Sequence, residues 1–106
     1  MDLEKMQQSA KTATDLLKLL GHPDRLMVLC QLKTGEQSVG ELATNLNIKQ
    51  SPLSQHLARM RHEGVVTSRR EAQTIYYSIA GEEVEKLVTV LYDLFCEEEP
   101  EEAAAQ

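Results

Sequence analysis

Residues 38–70 read SVGELATNLNIKQSPLSQHLARMRHEGVVTSRR. Ser38-Val39-Gly40-Glu41 has the Ser-x-x-Glu order of a capping box, so a helix starts at Ser38. Val39, Leu42, Ala43 and Leu46 form its apolar side. Asn45 and Asn47 mark the turn that follows. Ser51-Pro52 predicts the cap and first-turn proline of a second helix, which runs to about Glu63 and stops at Gly64. Leu53, Leu57 and Met60 recur at i, i+4 and i+7, so that side of the helix must face the core. Beyond Gly64 the apolar period shortens to that of a strand. Val66–Arg70 and Gln73–Ile79 read as two strands joined by a turn at Glu71-Ala72, with Ile75, Tyr77 and Ile79 alternating on one face. Two short helices, a tight turn and a hairpin describe a winged helix-turn-helix, mainly α with a two-stranded β-hairpin wing.

The flanks complete the fold. Asp2 to Leu20 reads as a helix with a heptad-like seam at Met6, Ala10, Ala13, Leu17 and Leu20, stopped by Gly21. Pro23 and Asp24 suit the first turn of a further helix whose apolar side holds Leu26, Leu29, Cys30 and Leu32. KTGEQ, residues 33–37, reads as a loop. After Gly81 a last helix carries Val84, Leu87, Val88, Leu91, Leu94 and Phe95. The two terminal helices expose more apolar surface than one 106-residue chain can bury, which predicts that they pair across a two-fold axis. Residues 1–96 are then the DNA-binding and dimerisation domain, and residues 97–106 an acidic flexible tail.

Charge is the apparent objection. The formal net charge is −6, where nucleic-acid partners usually meet basic proteins. Five Glu stand in residues 97–102, however, whereas residues 49–70 hold five cations against one Glu, a net of +4. With Leu53, Leu57 and Met60 inward, Ser51, Gln55, Ala58, Arg59 and His62 point outward, flanked by Gln50, Ser54, His56 and Arg61. These are side chains that hydrogen-bond base edges and phosphates. Arg69 and Arg70 stand at the hairpin tip, placed for the neighbouring backbone or minor groove. A symmetric dimer presents two such helices about one DNA turn apart, so the expected partner is double-stranded DNA carrying an inverted repeat.

The segments HPDRLMVLCQL, QSVGELATNLNIKQSPLSQHLARMRHEGVV and RREAQTIYYSI resemble the ArsR family of bacterial winged-helix repressors, over nearly all of residues 10–96. Within it the chain looks most like the branch containing BigR, SqrR, YgaV and HlyU, which senses reactive sulfur species or oxidants through a cysteine pair. The resemblance implies that Gln50, Ser51, Ser54 and Gln55 touch DNA, with His56 beside them. It also implies that Cys30, in LMVLC, and Cys96, in YDLFC, are sensing thiols. A persulfide donor would then close an intramolecular di- to tetrasulfide between them and lower operator affinity. By residue chemistry alone Cys30 reads as core filler. Cys96, near a helix C-terminus and beside Glu97–Glu99, sits where a thiolate is disfavoured. Alternatives are a peroxide-responsive disulfide switch, or an anti-silencing regulator that displaces another DNA-binding protein.

Other classes are excluded by what is missing. The third-helix stretch Ser38-Val39-Gly40 lacks the thiolates of arsenic-sensing members, and no His follows His62. His22, His56 and His62 lack ligand spacing to one another, so no metal or other cofactor is expected. No paired carboxylates, nucleophile–base arrangement or phosphate loop suggests an enzyme. The longest strongly apolar run is residues 26–30, too short for a membrane, and the N-terminus has no signal core. The chain is expected to be cytoplasmic.

Overall fold

The computed structural model describes residues 2–96, the side chain of Cys96 excepted. The expected acidic tail lies outside the described residues. Five helices and a three-stranded antiparallel sheet follow in the order α1 (Leu3–Leu20), α2 (Pro23–Leu32), β1 (Gln37–Ser38), α3 (Val39–Leu46), α4 (Gln50–His62), β2 (Val66–Glu71), β3 (Thr74–Ile79) and α5 (Glu82–Leu91). The winged helix-turn-helix is as expected, with one strand more.

Local chemistry explains most boundaries. Asp2 caps α1 by accepting from the Glu4 amide, and Gly21 closes it. The capping box at α3 is complete: the Glu41 amide donates to Ser38 Oγ at 3.1 Å, and the Ser38 amide donates to Glu41 Oε1 at 2.8 Å. Asn47 ends α3 in the left-handed conformation, which Asn tolerates well. The start of α4 differs from expectation. Lys49 is its N-cap and makes no side-chain cap bond, so Ser51 and Pro52 lie inside the first turn. Proline is tolerated there because those amides have no intrahelical partner.

β1 replaces the end of the expected 33–37 loop. Its two residues pair with β3, Gln37 opposite Tyr77 and Ser38 opposite Tyr76, giving the strand order β1-β3-β2. The hairpin turn falls at Ala72-Gln73, one residue later than expected, with Glu71 opposite Thr74 and Ala72 at φ +58°. α5 continues into a π-helical turn over Tyr92–Cys96, a widening that leaves the apolar pattern of the sequence unbroken.

The core gathers Leu19 and Leu20 of α1, Val28, Leu29 and Leu32 of α2, Leu42 of α3, Leu53, Leu57 and Met60 of α4, Val65 and Val66, and Val84 and Val88 of α5. Leu53, Leu57 and Met60 are wholly buried, as their spacing requires. Val28 joins them although its place in α2 was not among the expected apolar positions, while Leu26 is only half-buried. The α1 seam divides: Leu20 enters the core, but Met6 and Leu17 remain exposed with Leu3. Val90, Leu94 and Phe95 at the other terminus are exposed too.

Candidate nucleic-acid interface and thiol site

Burial of Leu53, Leu57 and Met60 fixes the rotation of α4 about its own axis. It leaves Gln50, Ser51, Ser54, Gln55, Ala58, Arg59, Arg61 and His62 exposed. The outward face is therefore continuous from the first turn to the last. Its first-turn amides receive no side-chain cap from Lys49, an arrangement that suits a phosphate oxygen. Arg59, Arg61 and His62 occupy the last turn, where cations are stabilised by the helix dipole.

His56 is different. Its side chain keeps only 16% exposure, and the ring turns toward α2. The His22 and His56 ring centroids are 4.5 Å apart with planes inclined at 58°. His56 Nε2 lies 3.8 Å from Asp24 Oδ2, too far for a hydrogen bond. His22 caps α2, its Nδ1 accepting from the Asp24 amide at 3.1 Å. Burial holds the His56 imidazole below its ordinary value; His22 and Arg25 push in the same direction and Asp24 opposes them. Arg25 is itself tied back to α1, Nε donating to the Leu19 carbonyl. Sequence spacing had separated the histidines. Folding brings two of them together beside a carboxylate, and leaves His62 exposed at the end of α4.

The wing is held by an ion-pair clamp. Arg69 lies opposite Tyr76, which in turn lies opposite Ser38 on β1. The Arg69 guanidinium crosses the Tyr76 ring, 4.8 Å from its centroid, to reach Glu36 just before β1. Nε donates to both Glu36 carboxylate oxygens at 3.0 and 3.1 Å, Nη2 donates to Oε1 of the same group, and Nη1 donates to Glu71 Oε1 at 2.8 Å. The hydrogen bond from Arg69 holds Glu36 below the usual carboxylate range, and Arg69 is raised in return by Glu36 and then Glu71. One cation thus serves two carboxylates, so the +4 counted along residues 49–70 overstates the charge the wing presents. Arg70, the next residue, is exposed.

Cys30 is half-buried on α2, packed against the core. It lines a groove of about 300 Å³ formed with Leu26, Met27, Gln31, Thr34, Leu46 and Tyr92. Tyr92 opens the π-helical turn that ends at Cys96, and Lys33 Nζ stands 4.9 Å from the centre of its ring. The backbone carrying Cys96 therefore begins at the wall of the Cys30 groove. The Cys96 thiol itself lies outside the described side chains. Among the described residues no helix is long and apolar enough to cross a membrane.

Residues 22–68 match the family described as "Bacterial regulatory protein, arsR family". The chain is 46% identical over 94 residues to the biofilm growth-associated repressor of Agrobacterium fabrum, covering 89% of this chain and 80% of that protein. It is 42% identical over 97 residues to the transcriptional activator HlyU of Vibrio cholerae, covering 92% and 90% respectively. The solved structure of reduced HlyU from Vibrio cholerae N16961 superimposes with a TM-score of 0.86 at 42% identity, over 90% of this chain and all of that one.

Proposed function

The chain belongs to the arsR family of bacterial regulatory proteins, and from that membership we propose a homodimeric repressor that releases DNA when sulfur joins Cys30 to Cys96. Its coarse role is transcriptional regulation through DNA binding. The observation that carries the finer reading is the Cys30 groove, walled by the residue that opens the Cys96 turn.

The DNA contacts follow from exposure. Gln50, Ser51, Ser54, Gln55 and Arg59 read base edges and phosphates, and Arg70 takes backbone beside the wing. His56 and Arg69 belong to the same surface but act on it through other groups: His56 braces α4 on α2, and Arg69 stiffens the wing. The exposed Met6 and Leu17 of α1 and Leu94 and Phe95 beyond α5 supply the apolar faces that a second copy covers. Two reading helices then address an inverted-repeat duplex.

The sulfur chemistry closes without an added oxidant. A low-molecular-weight persulfide, RS–SH, transfers its outer sulfur to each thiolate and leaves as a thiol. The Cys30 persulfide anion attacks the inner sulfur of the Cys96 persulfide, expelling hydrosulfide and leaving a trisulfide. A plain disulfide needs α-carbons roughly 4.4–6.8 Å apart, and each inserted sulfur widens that span. With the two α-carbons beyond the disulfide span, persulfides close the link and peroxide does not. The link ties α2 to the end of the dimer helix and changes the spacing of the two reading helices.

Mass spectrometry after persulfide treatment tests the reading, with fluorescence anisotropy on an inverted-repeat duplex in parallel. A crosslinked peptide pair holding both cysteines, and operator affinity that falls as it forms, are expected. Cys30→Ser and Cys96→Ser should bind yet not release. Absence of the crosslink, or full affinity once it has formed, overturns the proposal. Peroxide that crosslinks as readily points to an ordinary disulfide switch. The relative named as an activator favours a second output, in which occupancy displaces another DNA-binding protein.

A further inference from the structure

Metal ions do not enter the function proposed above, yet folding assembles a donor set of the right chemistry away from the thiols. One ligand atom each from His22, Asp24 and His56 lies within 4.8 Å of the other two, and all three residues are half-buried. Imidazole, imidazole and carboxylate are ligands that zinc, cobalt, nickel and copper share, and three protein ligands with one open position form a common zinc arrangement. The geometry points to a divalent transition-metal site at the joint between α2 and α4, with His22, Asp24 and His56 as its protein ligands.

One distance in the set suits an ion better than it suits the contact now made. Metal–ligand bonds of about 2.0–2.2 Å in a tetrahedron place neighbouring ligand atoms roughly 3.3 Å apart. His56 Nε2 and Asp24 Oδ2 stand at 3.8 Å, beyond a hydrogen bond and about half an ångström from that edge. Rotation of the Asp24 side chain, which keeps 35% exposure, supplies the difference. Asp24 sits in the first turn of α2, two residues after the His22 cap, and His56 faces it from α4.

Charge near the site is mixed. Asp24 supplies one negative charge, and Arg25 is the cation that acts on His56. Arg25 Nε is turned to the Leu19 carbonyl, on the α1 side of the joint. His22 Nδ1 already accepts a hydrogen bond from the Asp24 amide, so the neutral ring presents a lone pair there. An ion on Nδ1 would release the Asp24 amide, whereas an ion on Nε2 would leave that cap in place, and either shifts the Asp24 amide resonance through its carboxylate. A site of this kind spans residues distant in sequence, which is why helix-by-helix spacing did not disclose it.

Zinc and cobalt are the probes. Reduced full-length protein is titrated with Co²⁺ in the visible and near ultraviolet, and ¹⁵N-labelled protein with Zn²⁺ by NMR. One ion per chain is expected, with visible cobalt bands and no thiolate-to-cobalt band. The Asp24 amide and the His22 and His56 ring resonances should move first. His56→Gln and Asp24→Asn should each weaken zinc binding at least tenfold. His22→Asn should do the same while keeping a side chain that caps α2, with circular dichroism confirming the helix content. A thiolate band, first shifts at His62 or among residues 97–106, or variants that bind zinc as tightly as the unaltered chain, would each overturn the assignment.

Discussion

Arg69 and Arg70 are adjacent and identical in charge, but the structure predicts opposite signatures for their loss. Arg69 is shared between Glu36 and Glu71 and lies over Tyr76. A phosphate contact would require it to leave two carboxylates. Arg70 is exposed and meets no carboxylate among the described residues. If Arg70 takes one phosphate per wing of the proposed dimer, Arg70→Ala loses two contacts. Each contact contributes about 0.9 to the slope of log affinity against log salt, so the slope should flatten by about 1.8. Between about 50 and 200 mM salt that is roughly a twelve-fold smaller loss of affinity than the unaltered dimer suffers. Arg69→Ala should leave the slope nearly unchanged. It should instead weaken binding at every salt concentration, because Glu36 and Glu71 lose their shared cation and β1 loses its tie to β2. Glu36→Gln should move the other way and steepen the slope, by lending Arg69 to the DNA. The assay is anisotropy of a labelled inverted-repeat duplex across that salt range. Equal flattening by Arg69→Ala and Arg70→Ala would refute the clamp reasoning.

Three further outcomes test the scaffold. Leu57 is wholly buried at the centre of the inward face of α4, so Leu57→Ala should cost about 2–5 kcal/mol, read as a lower urea midpoint at unchanged slope. His56 is held below its ordinary imidazole value near 6.5, so the folded chain binds fewer protons there than the unfolded chain. Its contribution is therefore present above that pH and lost as pH falls below it; urea midpoints at pH 7.5 and 5.5 should show the loss, and His56→Gln should remove this part of it. Ala72 occupies the hairpin turn at φ +58°, where a side chain costs about 1–2 kcal/mol and glycine nothing. After the entropy glycine adds to the unfolded chain, Ala72→Gly should still stabilise by roughly 0.5 kcal/mol in thermal melts.

Much of the exposed α4 face and the wing was legible because it depends on local rules. The Ser38–Glu41 box is a four-residue pattern, and the Leu53–Leu57–Met60 seam settles which side of α4 is outward. The strand alternation after Gly64 is equally local. What escaped prediction joins distant residues or leaves no period. β1 has two residues, too few to alternate, and exists because β3 offers an edge for Gln37 and Ser38. Glu36 and Arg69 are 33 positions apart, and only the strand order β1-β3-β2 puts one across Tyr76 from the other. His56 was expected among the DNA-facing side chains; its position on the flank was right, but the nearness of α2 decides which way the ring turns. The start of α4 failed for a different reason: Ser51 is a good cap, yet Pro52 is accepted anywhere in a first turn, so the pair does not say which residue is first.

α2 connects the Cys30 groove to α4. Cys30 lies near its C-terminal end in the groove walled by Tyr92, while His22 and Asp24 at its N-terminus meet His56 of α4. His22 and Cys30 are eight residues apart, about 12 Å along the helix. Buried Val28, Leu29 and Leu32 pack α2 into the core between those ends. The proposed tether at Cys30 would therefore act on the element whose other end meets His56 of α4. Coupling has a measurable form. In His56→Gln the brace is removed, so closing the Cys30–Cys96 link should lower operator affinity by a smaller factor than in the unaltered chain. Equal factors would show that the link acts through dimer geometry alone, and that α2 carries no signal to α4.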